Sequence, residues 1–166
     1  MNKVEFELPK VKLTEDQLVD MISTAMADVC GFDWWKLEKP ELYEPTKAKL
    51  LAELGDSEDK TICFEQVWAR ILFEGGNLLL LEAESDWHWK GYPEGTLLWN
   101  WQIRASGTEP EGGTWHILNL EKICKGLSIY LSDKGYSSVD RLLSEGDFFE
   151  LEAVFQCAIY GEVQFG

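Results

Sequence analysis

Apolar residues recur along this chain with two periods, one extended and one helical. Val4, Phe6 and Leu8 alternate with Glu5 and Glu7, the pattern of a half-buried strand, and Pro9 ends the run. Thr14 then opens a helix, with Gln17 completing a capping box, and Leu18, Ile22, Ala25, Met26 and Val29 form one apolar stripe. Gly31 closes that helix. From Lys36 to Lys60 the pattern is weakest: Pro40 and Pro45 punctuate it, and Thr46 to Leu54 predicts a short helix stopped by Gly55. Thr61 caps the next helix, whose apolar positions are Phe64, Val67, Trp68, Ile71 and Leu72, and Gly75-Gly76 closes it.

Beyond that turn the period becomes extended. Leu78 to Leu81 is a continuous apolar run, as in a strand covered on both faces. Leu97, Trp99, Trp101, Ile103 and Ala105 alternate with Leu98, Asn100, Gln102 and Arg104, the clearest strand in the chain. Thr108 to Gly113 reads as a hairpin loop into a further strand at Thr114 to Leu118. Asn119 caps another helix with Leu120, Ile123, Cys124, Leu127 and Leu131 on its core side, and Val139 to Leu143 adds a helical turn. Asp147 and Glu150 cap the last long helix, with Phe148, Leu151, Phe155, Ala158 and Ile159 as its stripe. Gly161 ends it, and Val163 and Phe165 are spaced as a terminal strand. The expected architecture is α+β: a small antiparallel sheet (meander) packed with about four to five helices, in a single domain spanning 1–166.

Composition narrows the function. With 166 residues, 45 % hydrophobic and 27 % charged, the chain is globular and long enough for a real core. Its formal charge of −15 disfavours nucleic acid and anionic membranes, whose binders need Lys and Arg, and suits a basic protein partner or simple solubility. Cys30, Cys63, Cys124 and Cys157 lack any C-x-x-C spacing, which removes the usual zinc and dithiol signals. Cys63, Cys124 and Cys157 fall in helical patterns as small buried hydrophobes. The chain shows no signal peptide or membrane-length apolar run, so the expected location is cytoplasmic.

Several segments together resemble a family of small conserved proteins of Firmicutes phages and prophages. They are Gly31-Phe32-Asp33-Trp34-Trp35 after the first helix, the Gly75-Gly76-Asn77-Leu78 step, and the helix start Leu118-Asn119-Leu120-Glu121-Lys122-Ile123-Cys124-Lys125-Gly126-Leu127. The ending Gln156-Cys157-Ala158-Ile159-Tyr160-Gly161-Glu162-Val163-Gln164-Phe165-Gly166 is similar to that family's Q-x-A-[IL]-[YF]-G-E-[IV]-x-F-G terminus. The resemblance covers both ends and the middle helix. It implies a phage or prophage origin in a bacterial host cell and transfers no catalytic motif.

Chemistry has few carriers. No nucleophile-elbow, zinc-protease, Walker or dinucleotide motif is present. His88 and His116 each stand between residues of opposite strand parity; if their strands were adjacent, the imidazoles would meet on one exposed face near Asp86 or Glu84. Ordinary surface or half-buried histidines are the simpler reading. Among eight tryptophans, Trp87, Trp89 and Trp115 lie near loops, and with Arg104 they form an aromatic and guanidinium set able to stack a nucleotide or anchor a protein. Core or oligomer-interface packing explains the same residues. Asp56, Glu58, Asp59, Glu109 and Glu111 in loops, with Glu150 and Glu152 on the last helix, are acidic candidates for a basic partner, against the plainer reading of a solvated face.

The leading expectation is therefore a non-catalytic phage or prophage accessory protein that binds and inhibits a host factor such as a defence effector. It implies a host protein partner, no direct nucleic-acid or membrane binding, and no cofactor or metal. The alternatives are an oligomeric module sequestering a small nucleotide signal, and a His-dependent hydrolase.

Overall fold

The computed structural model describes residues 10–26, 35–38, 41–55, 61–83 and 113–164. Its elements run α1 (Glu15–Met26), β1 (Trp35–Glu38), α2 (Tyr43–Glu53), α3 (Phe64–Phe73), β2 (Leu78–Ala83), β3 (Gly113–Leu118), α4 (Leu120–Lys134), α5 (Val139–Glu145) and α6 (Phe148–Tyr160). They divide between two compact units, Met1–Ala27 with Leu120–Gly166, and Asp28–Asn119.

The first unit is organised by α6. Every side chain from Leu151 to Ala158 is buried, so this helix has no solvent face over that stretch and must be surrounded rather than laid on a surface. Helix α4 packs along it with Ile123, Leu127, Tyr130 and Leu131, and α1 contributes Leu18, Met21, Ile22 and Ala25. Contact between α4 and α6 is backbone-close. A Cβ built on Gly126 would lie 2.6 Å from Val154 O and Ala158 N, and 2.8 Å from Ala158 Cα.

Local signals set the ends of these helices. Thr14 and Gln17 make the capping box: Gln17 N–H donates to Thr14 Oγ1 at 3.2 Å and Thr14 N–H to Gln17 Oε1 at 2.9 Å. Gln17 Nε2 also donates to Asp140 Oδ1 at 2.6 Å, tying α1 to α5. Ser138 caps α5 through Arg141 N–H at 3.2 Å. Asp147 and Glu150 cap α6 reciprocally, and Gly161 ends it with φ +81, a left-handed conformation that glycine adopts without a Cβ penalty.

In the second unit α2 and α3 pack together. Arg70 Nη1 donates to both Glu53 carboxylate oxygens at 3.0 Å, and Lys49 pairs with Glu74. Helix α2 begins at Tyr43, ahead of the expected Thr46, because Pro45 falls in its first turn, where a missing N–H costs no helical bond. Helix α3 begins at Phe64, after the expected Thr61, with Cys63 N–H donating to Gln66 Oε1 at 2.9 Å. Strands β1, β2 and β3 are ordered β1-β2-β3, with Leu37 opposite Leu80 and Leu80 opposite His116 in antiparallel register.

The expected α+β class, with four to five helices gathered on a sheet, is corrected. The described chain is mostly helical: six helices stand against three strands of four to six residues. Among the described residues the first unit contains no strand at all. Its core is helix on helix, because α6 is buried around its whole circumference from Leu151 to Ala158 and not along the single stripe that spacing suggested. The strand ladder belongs to the second unit alone, and its β1 lies where no strand was expected. Val163 is in no strand. The expected strands at Val4–Leu8 and Leu97–Ala105 lie outside the described residues.

Gly126→Ala should destabilise the protein. Alanine gains about 1 kcal/mol in helix propensity, but the added methyl meets backbone atoms that no rotamer change can move, and such overpacking costs about 1–3 kcal/mol. A lower melting temperature by circular dichroism is expected; an unchanged or higher one would show that α4 and α6 separate freely.

Candidate functional site

Asp56, Glu58, Asp59, Trp87, His88, Trp89, Arg104, Glu109 and Glu111 lie outside the described residues. Trp115 stands opposite Leu81 in the β2–β3 register. His116 is half-buried and Leu118 fully buried, while Ile117 between them is 50 % exposed. A half-buried His116 is an ordinary setting for a strand histidine, and its candidate neighbour His88 lies outside the described residues. Among the described residues no group of three His, Cys, Asp or Glu side chains could hold a metal ion.

Two of the acidic candidates, Glu150 and Glu152, are on α6, and both are used within the first unit. Glu152 is buried, with Oε1 accepting from Gln156 Nε2 at 3.2 Å; Gln156 Oε1 in turn accepts Gln164 N–H at 3.0 Å. Glu150 accepts Tyr136 Oη at 2.9 and 3.0 Å, Tyr130 Oη at 3.1 Å and Asp147 N–H at 3.3 Å. The network pins the start of α6 to the end of α4. Burial, then the Glu150 charge, pushes the Tyr130 hydroxyl above its ordinary range. The hydrogen bond to Glu150 does the same for Tyr136.

This pinned corner, from Ser138 to Glu150, carries the most distinctive described surface. Asp140, Glu145 and Asp147 are exposed around it. Its one cation, Arg141, donates through Nε to both Glu145 oxygens at 3.0 Å. Asp140, Asp147 and Glu150 therefore meet no cation among the described residues. Phe149 projects from the first turn of α6 at 71 % exposure, more than any other large apolar side chain described. Its ring stands edge-on to Phe148, 5.3 Å between centroids. Sequence spacing carried a signal for it: Phe149 falls one position off the stripe of Phe148, Leu151 and Phe155. That arrangement can hold a partner.

Cys63, expected as buried, is exposed because it precedes α3 instead of lying within it. Cys124 is half-buried, and Cys157 is buried with its thiol pushed up to about 11, chiefly by burial and then by Asp133 and Glu162. On α3, Glu65 Oε2 and Trp68 Nε1 are buried with no hydrogen-bond partner among the described residues. Phe64 packs edge-on against Trp68 at 4.6 Å.

Glu65→Met should raise the melting temperature. An unpartnered buried polar atom costs about 1–3 kcal/mol. A carboxylate in the first turn of a helix returns about 0.3–1 kcal/mol. A fall on substitution would show that the carboxylate has a bonding partner in solution. The tyrosine pair gives a pH dependence. Both hydroxyls titrate higher in the folded than in the unfolded chain, where the value is about 10. Their contribution is complete below that pH and is lost as pH rises through the folded values. Melting temperature should thus fall in strong alkali, and fall less in Tyr130→Phe/Tyr136→Phe; parallel profiles would disprove the coupling.

Comparison of the chain with protein-family models, with curated proteins and with solved structures finds no match in any of the three.

Proposed function

We propose that this chain is a non-catalytic acidic binding protein that engages and inhibits a host protein. The observation that carries the reading is the net charge of −15. A field of that sign repels phosphates and attracts a basic protein surface, raising the rate of encounter at low ionic strength. Asp140 and Asp147, exposed at the α5–α6 corner and meeting no cation among the described residues, support the same direction. The finer assignment, a phage or prophage accessory protein acting on a defence effector, rests on the resemblance of the Gly161-Glu162-Val163-Gln164-Phe165-Gly166 ending and its companion segments.

The test is capture of a partner on the immobilised full chain from host lysate at low salt, followed by assay of the purified partner. One basic protein should be retained saturably, released by high salt, and lose its activity as the chain is titrated to equivalence. Failure to retain any protein, or full partner activity at excess chain, would reject the proposal.

A further inference from the structure

The geometry points to the α5–α6 corner as the docking surface, with Phe149 as apolar anchor and the surrounding carboxylates as rim. The occupant is a basic segment of a protein partner that carries an apolar side chain or pocket for the phenyl ring. This deepens the binding function proposed above and rests on it.

Single exposed apolar residues are ordinary on protein surfaces. Phe149 differs in three respects. It is the most exposed of the large apolar side chains described, at 71 % against 53 % for Leu42. It is aromatic, the side-chain type that contributes most when an interface closes over it. Its backbone is also fixed in advance of binding: the Asp147–Glu150 box sets the first turn of α6, and Tyr130 and Tyr136 hold the Glu150 carboxylate. A partner closing on the ring then need order only the side chain and not the turn that carries it.

Charge selects the occupant. Between Val139 and Glu150 the chain has Asp140, Glu145, Asp147 and Glu150 against Arg141 alone, and Arg141 is forked on Glu145. A second copy of this chain would bring the same carboxylates and the same net charge of −15 against this corner. Like charges facing each other across an interface are costly, so an exposed Phe149 on so acidic a segment disfavours self-association. A segment with Arg or Lys flanking an apolar group satisfies both the rim and the ring.

The experiment titrates the full chain against three labelled helical peptides: one with Leu on one face and Arg on the other, one with Ser replacing Leu, and one with Glu replacing Arg. Fluorescence anisotropy in low and high salt reads the affinity. The Arg/Leu peptide should bind and the other two bind far more weakly. Phe149→Ser should weaken binding about tenfold or more, and Phe149→Leu should retain most of it. Asp140→Asn with Asp147→Asn, the latter keeping a capping side chain, should flatten the salt dependence beyond the control Glu121→Gln. Unaltered melting of Phe149→Ser confirms that the fold is intact. No binding of the Arg/Leu peptide, equal binding of the Arg/Ser peptide, or unchanged affinity of Phe149→Ser overturns the proposal. If Phe149→Ser still captures and inhibits a host protein as the unmodified chain does, the docking surface is wrong while the binding function stands. If the unmodified chain captures nothing, the function itself fails.

Discussion

The first unit depends on one backbone contact, the approach of α4 to α6 at Gly126. With Val154 O and Ala158 N at 2.6 Å from where a Cβ would sit, the two helices touch through their main chains. That closeness lets α6 be covered from Leu151 to Ala158, because side chains on either side of the glycine interlock instead of holding the helices apart. Leu127 and Leu131 of α4, and Leu18 and Ile22 of α1, complete the shell. A helix so enclosed must also satisfy its polar residues internally, which explains why Glu152 and Gln156 bond to each other and Gln156 reaches Gln164.

The same enclosure leaves Phe149, in the first turn, as the one exposed residue of α6. Functional interest gathers there because a helix whose middle is fixed presents its first turn in a fixed place. The capping box and the two phenols remove the remaining freedom of that turn, and the carboxylates that do this work are drawn from the acidic excess. Acidity is therefore divided between two roles. Glu150 and Glu152 serve the unit's own structure, while Asp140 and Asp147 remain at the surface, each hydrogen-bonded and meeting no cation among the described residues.

In the second unit the helical pair α2–α3 carries exposed ion pairs of the kind that contribute little to stability. More consequential there are Glu65 Oε2 and Trp68 Nε1, buried without partners one turn apart. Side by side on α3 they are an acceptor and a donor that the described residues do not use.

Residues three to five positions apart determine most of what was legible beforehand. Thr14 with Gln17, Asp147 with Glu150, and the glycines at 75 and 161 acted as helix starts and stops because capping is decided within one turn of chain. Leu78 and Thr114–Leu118 were recognisable as strand from their apolar content, and net charge alone disfavoured nucleic acid as a partner. Tertiary packing decided the rest. Spacing displays one apolar stripe on α6, but whether its other side is solvated depends on what neighbouring helices bring, and Ala153 and Val154 proved buried along with Leu151. The class changed to mostly helical for that reason. Spacing set Phe149 off the stripe of Phe148, Leu151 and Phe155, but on a helix buried all round in its middle only the packing decided that this ring would stay 71 % exposed.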